Sequence, residues 1–99
     1  MKIKNLNKHD KYLLELYDKI KDDYDSLSTN VKIIKKKRLI GEVDILARKG
    51  NEYYIYEVKC SYRITKAKKQ AKQIKKHLKD LSIKGVFFYC GISGCIICI

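Results

Sequence analysis

The 99-residue sequence predicts an α/β domain, an α+β sandwich of element order αβββαββ with a mixed central sheet flanked by helices. Three observations lead there. Two stretches repeat apolar residues every three or four positions, the period of a helix with one buried face. Five stretches rich in Val, Ile, Tyr, Phe or Cys are bounded by turn-forming residues, as strands are. The second helical stretch stands between the third and fourth strands, an order that suits a right-handed crossover and a parallel pair. The length suits one domain over residues 1–99, and 45% apolar with 34% charged residues marks it as globular rather than disordered.

The first helix is expected over residues 8–27. Asn7 would cap it, Asp10 would sit near the positive end of its dipole, and Leu13, Leu16, Tyr17, Ile20, Tyr24 and Leu27 would form its apolar face. The stretch Ser26-Leu27-Ser28-Thr29-Asn30 would end it as a turn. Val31–Ile34 begins the first strand, and Lys35-Lys36-Lys37-Arg38 interrupts it as a basic loop. The second strand runs from Leu39 to Arg48. A tight turn over Lys49-Gly50-Asn51-Glu52 leads into the third, Tyr53 to Cys60. A second helix is expected over 65–81, capped by Thr65. Ala67, Ala71, Ile74, Leu78 and Leu81 make its narrow apolar stripe, and lysines cover its other faces. Lys84–Cys90 is the fourth strand, Gly91-Ile92-Ser93-Gly94 a turn, and Cys95–Ile99 the last strand.

Charge is unevenly placed. Residues 1–30 balance six lysines with six acids, whereas residues 31–99 carry seventeen Lys or Arg against five acids and hold the whole net charge of +12. A field of this sign favours a polyanion, with nucleic acid as the default partner and a solubilising surface as the plain alternative. The apolar carboxy-terminal run is too short to span a bilayer, and Met1–Asn5 has no apolar signal core. The chain reads as soluble and intracellular, in the cytoplasm or in a host cell if viral. Cys95-x-x-Cys98 has a zinc-like spacing, but on a strand the two thiols point to opposite faces. The four cysteines read as small buried thiols, with a disulfide left open.

The motif-bearing stretch is GEVDILARKGNEYYIYEVKC, residues 41–60. Asp44 and Glu57 lie inside strands that otherwise read as buried, where an unpaired carboxylate is costly. Folding about Gly50-Asn51 brings Asp44 opposite Glu57. Strand alternation puts Glu57 and Lys59 on one face with Ile55, and in the preceding strand Glu42, Asp44 and Leu46 share a face. Two carboxylates and an ammonium facing one volume suit Mg²⁺ or Mn²⁺ bound with phosphate oxygens. Lys59 could orient or deprotonate an attacking water, or stabilise developing charge. The alternative is a buried Glu57–Lys59 or Asp44–Lys59 ion pair that merely holds the hairpin.

At Gly41-Glu42-Val43-Asp44 and Glu57-Val58-Lys59 the chain resembles the PD-(D/E)XK nuclease superfamily, nearest to the archaeal Holliday-junction resolvases. The likeness spans most of the element order, with Val43 standing where many members have proline. It implies a restriction-endonuclease-like core, metal ligation by Asp44, Glu57 and the Val58 carbonyl, and a catalytic role for Lys59. It also implies a further acid from the first helix, for which Glu15 is the candidate, with Asp18 and Asp22 as alternatives. Gln70 or Gln73 could face the site, or be plain helix surface. Lys35, Lys36, Lys37 and Arg38 would grip DNA, and Arg63, Lys66 and Lys69 would extend that track by backbone contacts. The expected activity is a Mg²⁺-dependent endodeoxyribonuclease selective for branched DNA and acting as a homodimer. The rival is a non-catalytic DNA-binding protein on the same scaffold. A third reading is a partner-binding protein that uses the apolar carboxy-terminal hairpin.

Overall fold

Asn7 opens the first helix as its sequence suggests: the side-chain oxygen accepts the Asp10 backbone N–H at 2.8 Å. The computed structural model describes residues 7–99, so Met1–Asn5, read above for a signal core, lie outside the described residues. α1 runs Lys8–Ile20 and passes through a short 3₁₀ turn, Lys21–Asp23. Then come β1 (Ser26–Lys35), β2 (Arg38–Lys49), β3 (Glu52–Lys59), α2 (Ile64–His77), β4 (Ser82–Cys90) and β5 (Cys95–Cys98). The five strands form one mixed sheet in the order β1-β2-β3-β4-β5. β3 and β4 pair in parallel across α2, and the other neighbours are antiparallel.

The helices cover opposite faces. Leu13, Leu16 and Ile20 of α1 pack on Ile45, Ala47, Tyr56, Val58 and Tyr89. Ile74 of α2 packs on Ile33, Val43 and Ile55, and Ala67 on Phe88 and Cys90. The alternation along β3 and β4 makes this sorting, with Ile55 and Phe88 on the α2 side and Tyr56, Val58 and Tyr89 on the α1 side. The alanines let α2 lie close on the sheet.

Two helix ends differ from the expectation. α1 stops before Tyr24 and Leu27, and residues 26–30 are strand, not turn. Asp22 and Asp23 would have stood at the negative end of a longer helix dipole, where acids are unfavourable. Tyr24 instead turns extended, packs against Tyr54 and Tyr56, and shares a hydrogen bond of 2.6 Å with the Tyr56 hydroxyl. Burial and this bond raise the Tyr56 hydroxyl well above its ordinary pKa. α2 begins at Ile64, with Arg63 in the cap position making no side-chain cap, so Thr65 is not the cap. It ends at His77, short of Leu78 and Leu81.

The carboxy-terminal strand is an edge. β5 pairs with β4 alone, and Cys95, Ile96 and Cys98 are exposed. The expectation of four buried thiols is therefore corrected: Cys90 is buried, Cys60 half-buried, Cys95 and Cys98 exposed, and all four are free. No helix among the described residues is long and apolar enough to cross a membrane.

Gly91 fixes how α1 meets the sheet. Its backbone N–H donates to the Lys59 carbonyl at 2.8 Å, and a Cβ there would collide with the Tyr12 ring. Gly91→Ala is expected to cost about 1–3 kcal/mol by overpacking. Urea unfolding of the two proteins measures it, and equal midpoints would mean that Tyr12 does not hold α1 at this place.

Candidate active site

The sheet forks at Asp44. β2 and β3 are paired from Lys49↔Glu52 to Ile45↔Tyr56, and there the ladder ends. One more step in this register would set Asp44 opposite Glu57. β3 continues beside β4 as far as Lys59↔Cys90. β2 also turns over at this point: Val43 packs on the α2 side, whereas Ile45 packs on the α1 side. Asn30, between the residues paired to Ile45 and Val43, has a left-handed φ of 52°. The simple alternation expected for Glu42, Asp44 and Leu46 is thus interrupted.

With β2 diverging, Val58 loses a strand partner on that side. Side chains replace it. Asp44 Oδ2 accepts the Val58 N–H at 2.8 Å, and His9 Nε2, from α1, lies 3.1 Å from the Val58 carbonyl, to which it donates as the Nε2–H tautomer. The same His9 nitrogen is 3.5 Å from Asp44 Oδ2. Backbone groups buried at a fork need such partners, because an orphaned one costs as much as a lost hydrogen bond.

Glu57 is provided for only in part, by a hydrogen bond shared between its carboxyl and that of Asp44, which also raises its pKa. It is 2% exposed, and its Oε1 is buried without a hydrogen-bond partner among the described residues. Native structures rarely leave a buried polar atom so. Burial first, and the negative charge of Asp44 second, push the Glu57 carboxyl up to about 8, while Lys59 opposes them only in part. Lys59 follows on the same strand face, roughly 7 Å along, and is half-buried. Among the described residues no lysine or arginine comes within salt-bridge distance of Asp44 or Glu57. The ion pair that would merely hold the hairpin is not formed.

The other predicted residues spread around this centre. Glu15 is exposed, and its Oε1 lies 3.5 Å from the Tyr89 hydroxyl, long for a hydrogen bond. It makes no contact with Asp44 or Glu57 among the hydrogen bonds described. Asp18 is exposed and pairs with Lys21 at 3.6 Å. Asp22 is exposed on the 3₁₀ turn. His9 is the α1 residue that reaches the fork, and the sequence carried no signal for it, since its partner lies 49 residues away. Gln70, Gln73 and Lys69 line a cleft of about 320 Å³ with Ile40, Gly41, Glu42 and Ile74. Arg63 and Lys66 are exposed at the start of α2, and Lys35, Lys36, Lys37 and Arg38 are exposed at the β1–β2 turn.

The donors suit a hard cation. Asp44 and Glu57 set two carboxyl groups side by side, Glu57 has an oxygen with no partner, and the Val58 carbonyl has a second lone pair beside His9. All three are the oxygen ligands that Mg²⁺ or Mn²⁺ takes. Among the described residues no three His, Cys, Asp or Glu side chains gather closely enough to form a cluster, so water and phosphate oxygens would fill the remaining positions. Compared with known proteins, the chain matches no family model and no curated protein.

Proposed function

We propose that the protein is a metal-dependent endodeoxyribonuclease that hydrolyses DNA phosphodiesters and selects DNA by structure, in the manner of a Holliday-junction resolvase. The observation that carries this reading is Glu57: a buried carboxylate oxygen with no partner, beside Asp44, on a chain of net charge +12. A divalent cation held by the two acids would offset the cost of burying both, and the basic surface would bring a phosphate to it.

Asp44, Glu57 and the Val58 carbonyl would hold the ion. Bound Mg²⁺ or Mn²⁺ supplies charge neutralisation at the phosphate and lowers the pKa of a water. Asp44 is held in place for this task by the bond that its Oδ2 accepts from Val58 N–H. Lys59 holds the attacking water, or the oxygen on which charge develops, from the same strand face as Glu57. The lysines of the β1–β2 turn and of α2 bring the backbone in without reading bases. Cutting both strands of a junction calls for two sites, so the working form is a homodimer, and the exposed edge strand β5 is the surface it offers a second copy.

One contact favours a second reading. His9 already engages the Val58 carbonyl, as a DNA-binding protein that has given up catalysis on this scaffold would allow. A panel of four-way junction, flap, single-stranded and linear DNAs separates the two. The nuclease reading expects cleavage with Mg²⁺ or Mn²⁺, strongest on branched DNA and none in EDTA. Salt-sensitive binding with no cleavage under any metal would leave the non-catalytic reading standing in its place.

A further inference from the structure

The β1–β2 hairpin outruns the rest of the sheet. β2 meets β3 only as far as Ile45, so the tip around residues 34–39 is a two-stranded ribbon with no third strand. Its turn residues are Lys36 and Lys37, with φ of 50° and 63°. Asn and Gly fill such left-handed positions at little cost, whereas a side chain such as lysine is strained there. Strain of this kind persists where the side chains are used for something.

Beside the turn stand Ile34 and Leu39. They are direct cross-strand partners, 63% and 61% exposed. Directly opposite residues share a face, so the two form one small apolar patch. Lys35 and Arg38, the next pair, and Lys36 and Lys37 surround it with charge. A bulge lies just behind, where Ile33 pairs with Gly41 but Ile34 with Leu39, leaving Ile40 unpaired. Such a bulge increases the local twist and bends the ribbon behind the tip. A hairpin tip that only needed solubility would not expose two aliphatic side chains at its end.

We propose that this tip is a wedge for an unstacked step in nucleic acid. Ile34 and Leu39 lie against base faces laid open at a branch point or strand break, and Lys35, Lys36, Lys37 and Arg38 hold the phosphates on either side. Apolar wedges of this kind enter between base steps and are rewarded where stacking is already broken. A continuous duplex offers them no open base face, so the pair discriminates in favour of branched or interrupted DNA. The inference rests on the nucleic-acid reading above and deepens it by naming the substrate feature. Arg38 and Asp44 are six residues apart on one strand, roughly 20 Å at the usual rise. Cuts therefore fall within about six nucleotides of the branch.

The test is binding in EDTA, followed by fluorescence anisotropy, to a four-way junction and to linear duplex of equal length. The wild type is compared with Ile34→Ser/Leu39→Ser, whose sites are exposed enough to keep the fold, with circular dichroism as the check. The double variant is expected to lose about tenfold in affinity for the junction and little for linear duplex. It also loses the fluorescence rise of 2-aminopurine placed at the branch. Lys36→Asn/Lys37→Gly, which relaxes the turn, is expected to melt higher and to bind both DNAs more weakly. Wild-type and Ile34→Ser/Leu39→Ser proteins of equal junction preference would overturn the wedge and leave the nuclease reading intact. Anionic phosphatidylserine vesicles bound by the wild type and lost by the double variant, with DNA binding unchanged, would make the tip a membrane contact instead. A wild type that binds no DNA at all overturns both readings together.

Discussion

Lys59→Ala is expected to lower DNA cleavage about a thousandfold, the scale of a lost general base or charge-stabilising group. DNA affinity in EDTA should barely change. The split follows from position. Lys59 stands beside two acids at the fork and forms no ion pair with either among the described residues, so its removal breaks no salt bridge. It is half-buried rather than part of the core. One lysine among twenty-three Lys and Arg contributes little to a phosphate-tracking surface. Single-turnover cleavage beside a binding isotherm reads the two effects separately. A variant that unfolds would mean that Lys59 holds the hairpin, and one that cuts at the wild-type rate would remove Lys59 from the chemistry.

Glu57→Gln is expected to stabilise the metal-free protein at alkaline pH while abolishing cleavage. The folded protein holds the Glu57 proton up to about pH 8, against an ordinary value of 4.5. A carboxyl whose folded pKa is raised binds its proton more tightly in the folded state. Its contribution to stability is therefore full below about 4.5 and is lost as pH rises towards 8. Between these limits the metal-free wild type should lose up to about 1.4 kcal/mol per pH unit from this group. Glutamine carries no charge to desolvate, so the variant should escape the loss and exceed the wild type at pH 8 by on the order of 4 kcal/mol. Urea unfolding in EDTA at pH 5, 6.5 and 8 gives the comparison. Parallel curves for the two proteins would mean that the Glu57 carboxylate is not buried at a cost. Saturating Mn²⁺ should then narrow the gap by stabilising the wild type, by about 2.7 kcal/mol at a hundred times its Kd.

Much of this arrangement is legible in the sequence. Gly50-Asn51 sets a tight turn, and the turn sets the register, so counting outward reaches Asp44 and Glu57 together; the observed pairs from Lys49↔Glu52 to Ile45↔Tyr56 follow that count. The position of α2 between β3 and β4 foretells their parallel pairing. What could not be read is where strands part. Alternation continues past Asp44 on paper, but Asn30 adopts a left-handed conformation and β2 turns over, so Asp44 bonds to Val58 N–H instead of extending the ladder. His9 escaped because its link to Val58 is made by tertiary packing alone. The end of α1 was overrun because Tyr24 and Leu27 continue the helical spacing, although Tyr24 packs against the sheet beyond the helix and Leu27 belongs to β1. The apolar content of Cys95–Ile99 suggested buried thiols, whereas β5 is an edge strand with Cys95 and Cys98 exposed.

On the nuclease reading, Asp44 and Glu57 are acids kept together by a divalent cation. Titration calorimetry of Mn²⁺ into the metal-free protein at pH 7.5 measures this, with Asp44→Asn as the control. The wild type should release heat that saturates near one ion per chain, and Asp44→Asn should release none. No heat from the wild type, or equal heat from both proteins, would contradict the claim.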